Sequence, residues 1–203
     1  MLSAFPQLTE SEFADACSGL LHMFRRRGSV QQDWVSVEPH RQNATAYLRI
    51  TTHLATRADS PPDGSDDQVA EEEEDEDEEA LCDMVAPSAA VHYDILLSPV
   101  YCVPVLYVSI HDNLHRYAPT MTTLYKHLVP PQFKAQTADV GVMGGITITD
   151  HPATNRPVYF IHPCQTAGVM EASVDGNITA QEYLMIWIGS LGKSVGLDVP
   201  FAL

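Results

Sequence analysis

The stretch Val158-Tyr159-Phe160-Ile161-His162-Pro163-Cys164 carries four β-branched or aromatic residues and ends in a cysteine behind a proline. Such residues in succession are typical of a β-strand. A second run of this kind, 144–149, precedes it across the turn-rich segment 151–157, so the sequence predicts two neighbouring strands. Cys164 is then expected in a loop directly after a strand, where a rigid sheet can hold a reactive side chain.

Cys164 is the candidate nucleophile, and His162 is the candidate for polar support. Only the thiolate is reactive, and a polar or positive neighbour favours it. Residues i and i+2 of an extended segment point the same way, and Pro163 stiffens the backbone between these two. The alternative for a cysteine is a small buried hydrophobe, which spacing alone would also give Cys164. We keep that alternative for Cys17, on an apolar helix face, and for Cys102, which enters a strand.

The rest of the chain predicts an α+β fold in which an antiparallel meander sheet is packed by an N-terminal and a C-terminal helix. Thr9 and Glu12 form a capping box for a helix ending before Gly28, and Thr179 and Glu182 form another for the last helix. A short helix is expected within 120–129, before two prolines. Further strands are predicted at 34–37, 44–54, 91–97 and 103–110.

Charge is concentrated in one segment. The formal net charge is −16, yet residues 66–79 hold 11 of the 27 acidic residues and no base, which leaves a net charge of −5 elsewhere. From about 55 to 88 the chain is rich in Pro, Asp, Gly, Ser and Glu, a composition that cannot bury enough apolar surface to order itself. We therefore expect a single domain, 1–203, interrupted by a disordered acidic insertion at about 55–88.

Several classes of protein are disfavoured. The sequence has no basic stripe, which disfavours nucleic acid as a partner. It also has no run of about 18 apolar residues, which disfavours a membrane span. The first nine residues show neither the basic patch nor the long apolar stretch expected of a secretory signal, and the four cysteines have no paired spacing such as C-x-x-C, which suits a reducing compartment. Neither a P-loop nor the spacing of a zinc deaminase occurs, and His111 and His115 flank a turn unsuited to a metal. We expect no cofactor and no metal.

Several separated stretches together resemble the E2-like conjugating enzymes of autophagy, namely the autophagy-related protein ten family, with the protein three family as a weaker match. The set is specific in its order and its flanking residues. Thr166 after the cysteine favours the first of these families over its sister. The similar stretches are Val103–Tyr107, Ile146–Thr149 with His151-Pro152, Pro157–Cys164, Tyr183-Leu184, Trp187 and Val195–Pro200.

The resemblance implies an E2-like (UBC-like) fold and a role for Cys164 as the thiol that carries a ubiquitin-like modifier. The implied partners are an E1-like activating enzyme, autophagy protein seven; the modifier, autophagy protein twelve; and the acceptor, a lysine of autophagy protein five. A cytoplasmic location with recruitment to preautophagosomal sites follows. Ordinary E2 enzymes have an Asn after His-Pro, whereas Cys164 stands there, so His162 or nearby amides are the expected oxyanion donors.

Acceptor choice is expected to depend on the sheet surface, including Tyr93 and Tyr107, although ordinary packing is the simpler role for both tyrosines. The transfer from a thioester to an amine needs positioning more than acid–base groups. A different class of function stays open. The same sheet would also suit a non-catalytic scaffold that binds components of the autophagy conjugation system.

Overall fold

The structure is a computed structural model that describes residues 2–55, 89–134, 145–201 and 203. The predicted acidic insertion at 55–88 lies, apart from Ala55, outside the described residues. It falls between the second and third strands of the sheet.

A six-stranded sheet forms the centre of the fold, in the order β1-β2-β3-β4-β6-β5, with every neighbouring pair antiparallel. The first four strands follow each other as a meander, and β5 reaches the far edge because the β5–β6 hairpin joins the sheet through β6. The strands are β1 Trp34–Gln42, β2 Thr45–His53, β3 Ala90–Leu97, β4 Pro104–His111, β5 Ile146–Asp150 and β6 Pro157–Ile161. The predicted α+β meander is confirmed.

Helices cover one face of this sheet. Both predicted capping boxes are confirmed: Thr9 and Glu12 start the first helix, and Thr179 and Glu182 start the last. Each box satisfies backbone N–H groups that a helix start leaves without partners. Among the described residues the main helices are α1 Glu10–Arg27, α2 Met121–Thr123 with a π-helical turn Leu124–Leu128, α3 Thr166–Ser173 and α4 Ala180–Leu191, and residues 131–134 are also helical.

The main core lies between α1, α4 and the sheet. Its side chains come from alternate positions of the strands and from one stripe of each helix, as strand and helix periodicity require. The chain after α4 also packs there, since Val195 and Leu197 are fully buried. Members of this core include Ala16, Leu20, Ile50, Ile95, Val108, Leu184 and Ile188.

The first strand is longer than predicted. It continues through Pro39 to Gln42, beyond the predicted end at residue 37. A proline without an N–H is tolerated there because β1 is an edge strand. The turn to β2 is made by Asn43 and Ala44, both with positive φ (50° and 64°), a backbone typical of tight hairpins.

The opposite face of the sheet, here called the outer face, carries a second, smaller apolar cluster. Tyr47, Leu96 and Val105 are buried there together with Ala153, which belongs to the turn between β5 and β6. We call residues 151–156 the hairpin tip. The Nδ2 atom of Asn43 donates to the carbonyl oxygen of Ala153 at 2.9 Å, so the hairpin tip reaches across the outer face to the β1–β2 turn.

Candidate active site

Cys164 lies in a tight turn between a strand and a helix. Strand β6 ends at Ile161, a single 3-10 turn spans Pro163–Gln165, and α3 begins at Thr166. The predicted position just after a strand is confirmed, but the predicted loop is wrong, because the turn continues directly into a helix. Pro163 suits the first position of that turn, where its missing N–H costs nothing. Cys164 is exposed.

His162 caps this turn. Its backbone is extended (φ −68°, ψ 132°), and its Nδ1 atom accepts a hydrogen bond from the backbone N–H of Cys164 at 3.1 Å. The predicted proximity of the two residues is therefore present, but the imidazole contacts the backbone of Cys164. Since Nδ1 is an acceptor, the neutral ring carries its proton on Nε2.

Aromatic rings surround His162. Tyr101, from the β3–β4 connection, meets the His162 ring edge-on at 5.7 Å, and Phe160 does so at 5.9 Å. Tyr107 lies next along the outer face, with its ring centroid 5.0 Å from that of Phe160. Sequence reasoning did not select Tyr101, because no local pattern links it to a cysteine so far along the chain.

The other cysteines differ from Cys164. Cys17 is half-buried in α1, and burial raises the pKa of its thiol to about 12, in keeping with the structural role predicted for it. The same expectation is wrong for Cys102, which is exposed at a backbone with φ 53° in the turn before β4. Cys82 lies outside the described residues.

The two candidate tyrosines of the sheet lie on opposite faces. Tyr93 is buried in the main core, where its hydroxyl donates to the carbonyl oxygen of Val195 at 3.0 Å and burial raises the pKa of its phenol. The expectation that Tyr93 contributes to the sheet surface is wrong; packing is its role. Tyr107 is half-buried on the outer face, and burial raises its pKa as well.

A buried charged cluster lies under the hairpin tip. Asp94 of β3 is 3% exposed. Its two carboxylate oxygens accept hydrogen bonds from Nε and Nη2 of Arg49 in β2, at 2.6 and 2.7 Å. The Nε2 atom of His151, itself 1% exposed, is 3.3 Å from the second carboxylate oxygen. Burial alone would raise the pKa of Asp94, but Arg49 and His151 outweigh it and hold that pKa below its usual value.

Two features are absent from the described part of the chain: a helix that could cross a membrane and a cluster of metal-binding side chains. No helix within it has the length and apolar character to cross a membrane. Its His, Cys, Asp and Glu side chains also form no group of three that could hold a metal ion. His111, one of the two histidines considered for a metal, stacks on His92 at 5.4 Å instead.

The fold and this site define an α+β protein that presents an exposed, histidine-capped cysteine between a strand and a helix. A family model described as "Autophagocytosis associated protein, active-site domain" matches residues 12–202, and the chain belongs to that family. The matched region contains the capped turn and every described strand of the sheet.

Curated relatives carry one shared name. A protein of Gibberella zeae called ubiquitin-like-conjugating enzyme ATG10 is 39% identical over 114 residues, which are 55% of this chain and 47% of that protein. A protein of the same name from Dictyostelium discoideum is 27% identical over 122 residues, 55% of this chain and 52% of that protein. The matched region thus spans about half the length of these relatives.

One solved structure, titled "Crystal structure of Autophagic E2, Atg10", is similar over 95% of this chain and 99% of its own. The identity is 15% and the TM-score is 0.49.

Proposed function

We propose that this chain is an E2-like conjugating enzyme. It forms a thioester between Cys164 and the C-terminal glycine of a ubiquitin-like modifier, autophagy protein twelve, and transfers that modifier to a lysine of autophagy protein five. The activating enzyme that loads it is autophagy protein seven. The reaction takes place in the cytoplasm, with recruitment to preautophagosomal sites, and serves autophagosome formation.

The exposed thiol at the capped turn carries this proposal. Of the described cysteines, Cys164 alone combines exposure with a hydrogen-bonded histidine cap, because Cys17 is half-buried and Cys102 lies in a different turn. The turn follows a strand held in the sheet by β4 on one side and β5 on the other. A thiol on such a support is accessible to a protein-sized donor and stays in one place. Membership of a family described by its active-site domain agrees with this reading.

Loading is an exchange of one thioester for another. The Cys164 thiolate attacks the carbonyl carbon of the thioester that joins the modifier to the activating enzyme. The new carbon–sulfur bond forms as the old one breaks, and the thiolate of the activating enzyme leaves. No net oxidation occurs.

Transfer to the acceptor is also a nucleophilic attack on a thioester. The unprotonated lysine amine attacks the thioester carbonyl, the oxygen becomes transiently negative, and the Cys164 thiolate leaves as the amide forms and the nitrogen loses a proton. A donor near the oxygen stabilises this state. The backbone N–H of Cys164 is engaged by His162, so the Nε2–H of His162 is the donor that we assign to the oxyanion.

A charging assay tests the proposal. Purified protein is incubated with activating enzyme, ATP and modifier, and the products are separated with and without reductant. Wild type should form a reductant-sensitive adduct, and Cys164→Ser should form a reductant-resistant one. Cys102→Ser is the matched control, since Cys102 is also exposed, and it should behave as wild type.

The scaffold alternative makes the opposite prediction. If the chain only brings the conjugation components together, Cys164→Ala will support full conjugation of modifier to acceptor. Full activity of that variant would rule out the thioester mechanism.

A further inference from the structure

The cluster of Asp94, Arg49 and His151 is not used by the proposed chemistry, yet Asp94 and His151 are both buried on the outer face, at 3% and 1% exposure. Moving a carboxylate from water into such a place is unfavourable, and a buried ion pair returns little net stability compared with apolar packing. Stability alone therefore does not account for it. Its contacts show what it holds in place.

His151 is the centre of the hairpin tip. Its backbone N–H donates to the carbonyl oxygen of Arg156 at 2.9 Å, and its own carbonyl oxygen accepts from Asn155 at 2.8 Å. Its Nδ1 atom accepts from the N–H of Ala153 at 3.1 Å, so the neutral ring carries its proton on Nε2. Three other groups of the hairpin tip are thus held by hydrogen bonds to His151.

The side chain of His151 is held by the sheet. Its ring is edge-on to Tyr47 and to Tyr107, with both centroids 5.2 Å away. Among the described residues Nε2 has no hydrogen bond of good geometry, and the Asp94 oxygen at 3.3 Å is the polar atom that it faces. Asp94 is in turn fixed by the two-pronged contact with Arg49, so the ring has one defined orientation.

An unbroken series of contacts leads from His151 to the reactive turn. Tyr107 touches His151 on one side and Phe160 on the other, at 5.2 and 5.0 Å between ring centroids. Phe160 meets the ring of His162 at 5.9 Å, and His162 binds the N–H of Cys164. The strand that carries Phe160 starts directly after the hairpin tip.

We infer that His151, oriented by Asp94 and Arg49, is a positioning residue for the thioester site: through Tyr107 and Phe160 it fixes the ring of His162 and with it the turn that presents Cys164. This inference rests on the proposed function. His151 and Asp94 do not touch the reacting atoms; their effect is on geometry.

His151→Phe tests this inference most sharply. The variant keeps an aromatic ring between Tyr47 and Tyr107 and leaves the Asp94–Arg49 pair intact, but it removes both ring nitrogens. His127→Phe is the matched control, because His127 also packs edge-on against a tyrosine, Tyr117, at 5.0 Å, in the turn after α2.

Two measurements are made on each variant. The first is the ¹⁵N resonances of the His162 ring in the uncharged protein, which report whether Nδ1 remains the acceptor. The second is the single-turnover rate at which modifier leaves a preloaded Cys164 for the acceptor lysine, compared with the extent of loading. A change of about 1 Å at the reacting atoms costs up to about a hundredfold in rate.

For His151→Phe we expect altered His162 resonances and discharge slowed about ten- to a hundredfold, with loading complete, while His127→Phe matches wild type. Unaltered His162 resonances or an unaltered discharge rate in a folded His151→Phe protein would overturn the inference, even if its melting temperature falls. If His151→Phe does not fold, Phe160→Leu interrupts the same series of rings, and the same outcomes apply.

Failure of the proposed function gives a different result. In that case wild type itself is not loaded by the activating enzyme. The His162 resonances, which need no partner protein, then decide alone whether His151 positions the turn.

Discussion

The Nδ1 atom of His162 accepts a hydrogen bond from the backbone N–H of Cys164 at 3.1 Å. His162 is therefore the cap of the turn that carries the thiol. A side-chain cap of this kind satisfies an N–H that the start of a turn would leave without a partner. It also fixes the tautomer of the ring. One contact therefore shapes the turn and leaves a single N–H of His162 available as a donor.

The thiols should differ strongly in reactivity. Burial raises the pKa of Cys17 to about 12, so little of it is thiolate at neutral pH, whereas Cys164 and Cys102 are exposed. Brief treatment of the native protein with iodoacetamide at pH 7.5, followed by peptide mass spectrometry, should label Cys17 at least about tenfold more slowly than either exposed cysteine. Equal labelling of Cys17 and Cys102 would contradict the burial of Cys17.

Stability should decrease as the pH falls from about 6.5 to about 4, with His92 as one cause. Burial, helped by Arg49, lowers the pKa of His92 from 6.5 to about 4. In this range the unfolded chain binds a proton at His92 that the folded chain does not, so protonation favours unfolding.

Urea unfolding of wild type and His92→Gln at pH 7 and pH 5 measures this effect. Between pH 7 and pH 5 the free energy of unfolding of wild type should fall by about 1–2 kcal/mol more than that of the variant. This figure is reduced to allow for solvent screening of a half-buried ring. An equal loss in both proteins would show that His92 titrates normally.

Two glycines near the end of α4 should respond oppositely to alanine. A Cβ at Gly192 would lie 2.8 Å from the backbone oxygen of Leu197, so the buried chain after the helix must shift. At Gly189 the nearest atom would be a methyl of Val199 at 3.8 Å, an ordinary contact. We expect Gly192→Ala to destabilise by about 1–3 kcal/mol and Gly189→Ala to stabilise by up to about 1 kcal/mol.

Chemical denaturation of the two variants side by side checks this prediction. Gly189 is the matched control because it lies only three residues earlier, inside α4, whereas Gly192 caps the end of that helix. If Gly192→Ala is as stable as wild type, the packing of the final segment against the helix end is looser than the structure indicates.

Local patterns in the sequence were enough for much of the fold. Both capping boxes follow from short-range chemistry and are present, and the strands predicted at 91–97 and 103–110 lie within one residue of the observed bounds. Helix α3 was not predicted, because only Thr166 and Met170 of its eight residues are buried and its apolar pattern is too short to recognise. The length of β1 was hidden by Pro39, whose tolerance depends on lying at a sheet edge.

The candidate site, like the fold, could be predicted from the sequence only in part. Cys164 and His162 are two residues apart, so their proximity could be read from the sequence. Asp94 and Arg49 are 45 residues apart, and nothing local marks them as partners. Their contact depends on the register between β2 and β3, and that of His151 depends on how the hairpin tip crosses the outer face. Such relationships become visible only once the strands are assembled.

The central claim is that Cys164 itself carries the modifier, and the identity of the acylated residue tests this most directly. Cys164→Ser protein is incubated with activating enzyme, ATP and modifier, the stable product is digested, and the residue bearing the modifier's C-terminal glycine is located by tandem mass spectrometry. The account predicts an ester on the serine at position 164. The glycine on Cys102 or on any other residue, or no adduct although wild type forms a reductant-sensitive one, would contradict it.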